Sequence, residues 1–172
     1  MSAVNPNKLS IVYYPDPILR KQAAPIEAVT DEVRAVALRM IALMHEAEGV
    51  GLAAPQVGLP WRMFVANSRQ EEDEPDRVYI NPVLSSPSGG PEPREEGCLS
   101  IPDVVGDVRR PITITIDALD LDGQAFTMTS DALLARVWQH ETDHLDGILI
   151  IDHFTQMTRL ANRKALRELE RG

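Results

Sequence analysis

Only one cysteine, Cys98, occurs among the 172 residues. No intrachain disulfide is therefore possible, and a chain of this length can bury a sufficient core without one. The lone thiol is either a small buried hydrophobe or a reactive or metal-bound thiolate. No apolar run is long enough to cross a bilayer. The opening MSAVNPNKLSIVYYPDP has neither an apolar signal segment nor an Arg-rich transit character. Cations are scarce as well: 17 Lys and Arg face 26 Asp and Glu, for a formal net charge of -9. That balance disfavours DNA or an anionic membrane as a partner of the whole surface, though it leaves room for a local basic patch. Repeats and a clear domain boundary are also missing. Residues 1–172 are thus expected to form one cytoplasmic, globular domain. The 44% hydrophobic and 25% charged composition suits that reading.

What is present reads as a mixture of helices and strands. Asp31 to Glu48 predicts a helix, capped by Thr30 and stopped by Gly49. Val33, Val36, Ala37, Met40, Ile41 and Met44 form its apolar stripe. Trp61 to Ala66 and Val78 to Ile80 predict strands, separated by a charged loop. Ser85 to Pro93, rich in Ser, Pro and Gly, predicts irregular chain. Ile112 to Asp117 alternates like a half-buried strand, and Asp122-Gly123 turns it into a partner at Gln124 to Thr129. Ser130 and Asp131 are expected to open a second helix ending near Gly147, and Thr155 to Glu170 predicts a third. Strands and helices do not alternate regularly, so the expected class is α+β rather than doubly wound α/β.

The second predicted helix contains His140-Glu141-Thr142-Asp143-His144, an HExxH motif. At 3.6 residues per turn, His144 lies about 40° around the helix from His140, and Glu141 about 100°. Two imidazoles one turn apart chelate a metal, and the glutamate between them can move a proton to or from water. The alternative is a surface helix that happens to carry two histidines. A catalytic zinc-type site usually takes a third protein ligand. The metzincin continuation would put a histidine at position 150, where Ile150 stands. His153 is displaced by three residues and reads as a capping or surface residue, and His45 as part of the first helix. Cys98 is then the upstream candidate, with Gly97 giving the chain freedom to turn beside it. Leu133 and Val137 project within about 60° of His140, so they either line an apolar pocket or simply pack the core.

Three segments, in this order, carry a resemblance: Gly49-Val50-Gly51-Leu52-Ala53-Ala54-Pro55-Gln56, Glu96-Gly97-Cys98-Leu99-Ser100, and Gln139-His140-Glu141-Thr142-Asp143-His144. Together with Tyr14-Pro15-Asp16-Pro17 they resemble the peptide deformylases from about Ile11 to Phe154. The resemblance implies an α+β fold with antiparallel sheets around the HExxH helix. It implies metal ligation by Cys98, His140 and His144, with Glu141 as general base. Gln56 and the Leu99 N–H would be the oxyanion donors. Val50, Gly51, Gly97, Leu133 and Val137 would contact the substrate. Its implied activity is removal of the formyl group from N-formylmethionyl nascent peptides. Its implied metal is Fe(II), with Zn, Ni or Co able to replace it. Val105 departs from the larger residue that many members carry there, which bears on peptide contacts rather than chemistry.

Two other classes compete with this reading, an HExxH endopeptidase and a non-catalytic metal-binding protein. The missing downstream ligand counts against the first, and the intact Gln56, Cys98 and Glu141 against the second. Arg159, Arg163, Arg167 and Arg171 recur every four residues in the third predicted helix. They read either as a solvated face with local ion pairs to Glu168 and Glu170 or as a phosphate-binding stripe. The resemblance suggests ribosomal RNA for the latter.

Overall fold

The computed structural model describes residues 2–172. Helix α1 spans Asp31–Glu46, and its first turn is capped by the Thr30 hydroxyl, which accepts from the Val33 N–H at 3.2 Å. It stops two residues earlier than the glycine signal suggested. Glu48 takes the left-handed conformation (φ 57°). Its N–H donates to the His45 carbonyl, and the Gly49 N–H donates to the Met44 carbonyl, the pair of hydrogen bonds that closes many helices. Gly49 has another reason to lack a side chain: a Cβ there would lie 2.7 Å from Leu99 Cδ1.

Strands β1 (Gly51–Ala53), β2 (Met63–Ala66), β3 (Arg77–Ser88), β6 (Thr113–Leu119) and β7 (Ala125–Ser130) form an antiparallel sheet in the order β1-β2-β3-β6-β7. Strands β4 (Glu92–Cys98) and β5 (Ile101–Arg110) pair as a separate two-stranded sheet. The expected α+β class holds, but Ser85 to Pro93 is corrected. Strand β3 runs on through Ser88, and only Gly89 to Pro91 separates it from β4. It tolerates Pro82 and Pro87 because the register with β6 shifts between Ile80 and Val83 and again between Ser85 and Ser88. A bulge is where a residue without an N–H costs no ladder bond.

Side-chain alternation along β1 to β3 explains where the core sits. Leu52, Val65, Val78 and Ile80 face α1 with Val36, Met40 and Met44. Ala53, Phe64, Ala66 and Tyr79 face the other way, onto helix α2 (Leu133–Leu145) with Ala135, Val137 and Trp138. The sheet is therefore covered on both sides. Helix α2 opens at Leu133 rather than Ser130, because β7 continues to Ser130 in register with Ile114. It closes at Gly147 (φ 74°), where a Cβ would meet the Arg20 carbonyl oxygen at 2.5 Å.

The expected helix over Thr155 to Glu170 is two helices, α4 (Gln156–Ala161) and α5 (Arg163–Arg171), broken at Asn162 and preceded by the short α3 (Ile150–His153). Ala165, Leu166 and Leu169 of α5 pack on a third cluster with Ile101, Val104 and Val108 of β5. The break takes Arg159 out of the stripe: its Nε donates to the Ile151 carbonyl at 3.0 Å. No ion pair of the described residues joins Glu168 or Glu170 to an arginine. Instead, Glu170 accepts from the Tyr14 hydroxyl at 2.8 Å. No described helix is long and apolar enough to cross a membrane.

Candidate metal centre and cleft

A cleft of about 470 Å³ opens between α2, the segment from Glu48 to Gly51, and the β4–β5 hairpin. Cys98 at the end of β4 and His140 and His144 on α2 meet at its floor. Their ligand atoms all lie within 4.8 Å of one another. The Cys98 Sγ to His144 Nε2 distance is 3.4 Å. A metal about 2.3 Å from sulfur and 2.0–2.1 Å from nitrogen, at a tetrahedral angle, would hold those two atoms roughly 3.6 Å apart. The donor set and its spacing thus fit a divalent transition metal.

One buried acid sets the frame around these residues. Glu96 Oε1 accepts from His140 Nδ1 at 3.0 Å, and Arg110 donates to both of its oxygens at 2.7 and 3.0 Å. Arg136 Nη1 adds a further bond to Oε2 at 2.7 Å. Burial alone would push the Glu96 carboxyl up, but the bonds from His140 and Arg110 outweigh it and hold the acid well below the usual carboxylate range. With Nδ1 turned to Glu96, the His140 Nε2 is left facing the cleft floor. Arg110 also reaches Asp143 at 2.9 Å, and Asp143 pairs with His153 at 2.8 Å. His153 is thus a surface partner of Asp143 and no ligand, and His45 likewise pairs with Asp76 at 2.7 Å.

Glu141 is buried, with Oε1 3.7 Å from His140 Nε2 and Oε2 without a protein partner. Burial pushes its carboxyl up to about 7, against the pull of His140. A cation held by the neighbouring ligands would draw it down again. Its approach to β1 depends on Gly51, where a Cβ would lie 2.8 Å from Glu141 Oε1. Gln56 is buried beside Cys98. Its Oε1 accepts from the Ala53 N–H at 2.9 Å, while Nε2 points to Ser100 Oγ at 3.1 Å and Cys98 Sγ at 3.5 Å. The amide is therefore locked with its N–H side toward the floor.

Leu99, Val50, Gly51, Gly97, Leu133 and Val137 all line the cleft, as does Val105. Leu133 and Val137 also pack with the core below α2. Sequence reasoning assigned no role to Glu96, Arg110, Arg136, Asp143 or Ser100. Glu96 adjoins the Gly97-Cys98 pair in the chain, but nothing local in the sequence marks Arg110, which arrives from the far end of β5.

The family model described as polypeptide deformylase matches residues 8–160. A peptide deformylase of Acinetobacter baumannii is 42% identical over 163 residues, covering 95% of this chain and 92% of that protein. One from Rhodopirellula baltica is 43% identical, covering 94% of this chain and 77% of that protein. Among solved structures, a plant peptide deformylase superposes with a TM-score of 0.93 at 36% identity, covering 99% of this chain and 93% of that one. A peptide deformylase from Legionella pneumophila superposes with a TM-score of 0.87 at 37% identity, covering 95% of each chain.

The Glu96 cluster carries a stability prediction. Glu96→Gln leaves Arg110 buried against a neutral amide, and breaking a buried pair typically costs about 3–5 kcal/mol. Denaturant unfolding at neutral pH should register a loss of that order. A depressed carboxyl contributes stability above its unfolded pKa and loses it as pH falls through the folded one. Acid titration of the unfolding free energy should therefore be flatter in the variant than in the parent at low pH.

Proposed function

Because the chain belongs to the polypeptide deformylase family, we propose that it hydrolyses the formamide of N-formylmethionyl nascent peptides, releasing formate and a free amino terminus. The observation that carries this is the convergence of Cys98, His140 and His144 at the cleft floor with Glu141 and the Gln56 amide beside them. We read the chain as one catalytic domain acting in the cytoplasm, where nascent chains are made.

Cys98, His140 and His144 would hold the metal, and we assign Fe(II), with Zn, Ni or Co able to take the same thiolate and imidazole donors. A bound divalent ion would supply Lewis acidity, polarising the formyl oxygen and bringing the pKa of water down to roughly 7. The remaining work falls to the protein. Glu141 takes the proton of the attacking water and returns it to the methionine nitrogen as the C–N bond breaks. The Gln56 Nε2–H and the Leu99 N–H meet the oxygen as it gains charge. Val50, Gly51 and Gly97 line the peptide's path, and Leu133 and Val137 give an apolar wall for the methionine side chain. The endopeptidase reading has no support in the site: Ile150 is buried in the core and His153 is engaged with Asp143.

In the carbonyl slot between Cys98, Gln56 and Leu99, formyl should be strongly preferred over acetyl. Turnover of formyl-Met and acetyl-Met peptides by the Fe(II) enzyme under anaerobic conditions tests this. Equal rates, or efficient cleavage of casein, would sink the proposal.

Glu141→Gln keeps the size of the side chain and removes the base. Its kcat should fall by at least about 10²–10⁴-fold, with metal content and thermal unfolding near the parent's. Loss of metal together with activity would make Glu141 structural or a ligand.

A second proposal concerns α5. Arg163, Lys164, Arg167 and Arg171 border one shallow surface depression, with Glu168 the only acid among its lining residues. That surface suits the phosphates of ribosomal RNA. Co-sedimentation with ribosomes should weaken as salt rises, and binding that survives deletion of residues 155–172 would end the idea.

A further inference from the structure

Between Ile101, paired with Cys98, and Gly106, paired with Glu96, the residues Pro102 to Val105 have no register partner in β4. The ladder skips them, and Asp103 adopts a left-handed conformation (φ 65°), which costs a non-glycine residue energy. Yet this unpaired segment forms one wall of the cleft: Pro102, Asp103, Val104 and Val105 all line it. A Cβ on Gly97, next to Cys98, would lie 3.5 Å from Val105 Cγ1. Val105 thus lies close over the strand that ends at Cys98.

A side chain from outside the hairpin supplies what the ladder omits. Asn162, nearly buried at the break between α4 and α5, offers its amide edge to the backbone of Val105. Its Oδ1 accepts from the Val105 N–H at 3.3 Å, and its Nδ2 donates to the Val105 carbonyl at 2.9 Å and to the Thr158 carbonyl at 2.9 Å. One primary amide thereby does what a neighbouring strand would do for a single residue, satisfying both backbone groups. The helix is pressed close enough for this because residue 106 is glycine. A Cβ there would clash with the Thr158 methyl and stand 2.8 Å from the Phe154 ring.

We propose that Asn162 is a positioning residue for substrate, holding the Pro102–Val105 wall in place for the residues that follow formylmethionine. The inference rests on the deformylase reading, but its structural half can be tested without activity. Amide hydrogen exchange on metal-loaded Asn162→Ala should show Val105 losing protection by about tenfold or more. Val108, further along the same strand, should stay near the parent's value. With formyl-Met pentapeptides, KM should rise about 3–10-fold while kcat stays within about twofold, as expected when only ground-state contacts are lost. With formyl-methionine amide, which has no residue after the methionine, KM should not move. Tyr14→Phe is the control for general loosening of α5, since it removes the bond to Glu170 alone, and it should leave both substrates unaffected. If Asn162→Ala does not fold, Asn162→Leu carries the same tests, because it keeps nearly the same shape and loses the acceptor for the Val105 N–H as well as both donors. Unchanged Val105 exchange overturns the proposal. So does a KM change equal for short and long substrates, or one reproduced by Tyr14→Phe. A parent enzyme inactive on every formyl peptide would refute the deformylase reading instead, and the exchange result would stand on its own.

Discussion

The Glu96 carboxylate ties the β4–β5 hairpin to helix α2. It sits on β4, takes two hydrogen bonds from Arg110 on β5 and further ones from Arg136 and His140 on α2. Withdrawing such charges from water is costly, and the cost is offset only when the geometry satisfies most of their donors and acceptors. Here the Arg110 fork is bidentate, and its remaining Nη1 reaches Asp143. The hairpin bearing Cys98 is thereby fixed against the helix bearing His140 and His144. The metal-binding geometry of the cleft floor depends on that clamp, because the ligand atoms come from two separate elements, Cys98 from β4 and both histidines from α2.

The large sheet makes the complementary contribution. Covered by α1 on one face and α2 on the other, it presses α2 down through Trp138, whose ring meets Tyr79 edge-on at 6.1 Å. That seating brings Glu141 against the edge strand at Gly51, where the absence of a Cβ leaves just enough room. Burial then gives the carboxyl its raised pKa, and the same burial keeps water from competing for the hydrogen bonds around it. Rigidity of the scaffold and reactivity of the acid share one origin, the close packing of α2 on β1 and β2.

Much of the site was legible in the chain, for a specific reason. An HExxH motif is read within one helical turn, and helix geometry alone places His140, Glu141 and His144 near one another. The glycine at 147 was legible too, since a left-handed closing residue has few alternatives. Less was legible where charge hid structure. Strand β4 reads Glu-Pro-Arg-Glu-Glu-Gly-Cys, a poor strand by propensity, and it forms because β5 pairs with it and because Glu96 has partners waiting. Strand β3 outruns its apolar stretch because its serines and prolines resemble loop by residue type, while the bulges that accommodate them arise only from pairing with β6. The helix expected across Asn162 is broken there, and the Asn162 side chain bonds a strand 57 residues away.

Local sequence therefore determined the chemistry available to this protein: the chelating pair with its interposed acid, and the one thiol. These depend on periodicity and residue type, which act over a few positions. Tertiary structure alone decided which of those groups meet and in what state. The distance from Cys98 to His144, the partner of His140 Nδ1, the burial that lifts Glu141 and the wall held by Asn162 all arise from contacts between residues far apart in the chain. Such contacts are selected by packing and by the satisfaction of buried polar groups across the whole fold. No window of sequence contains both members of the pair.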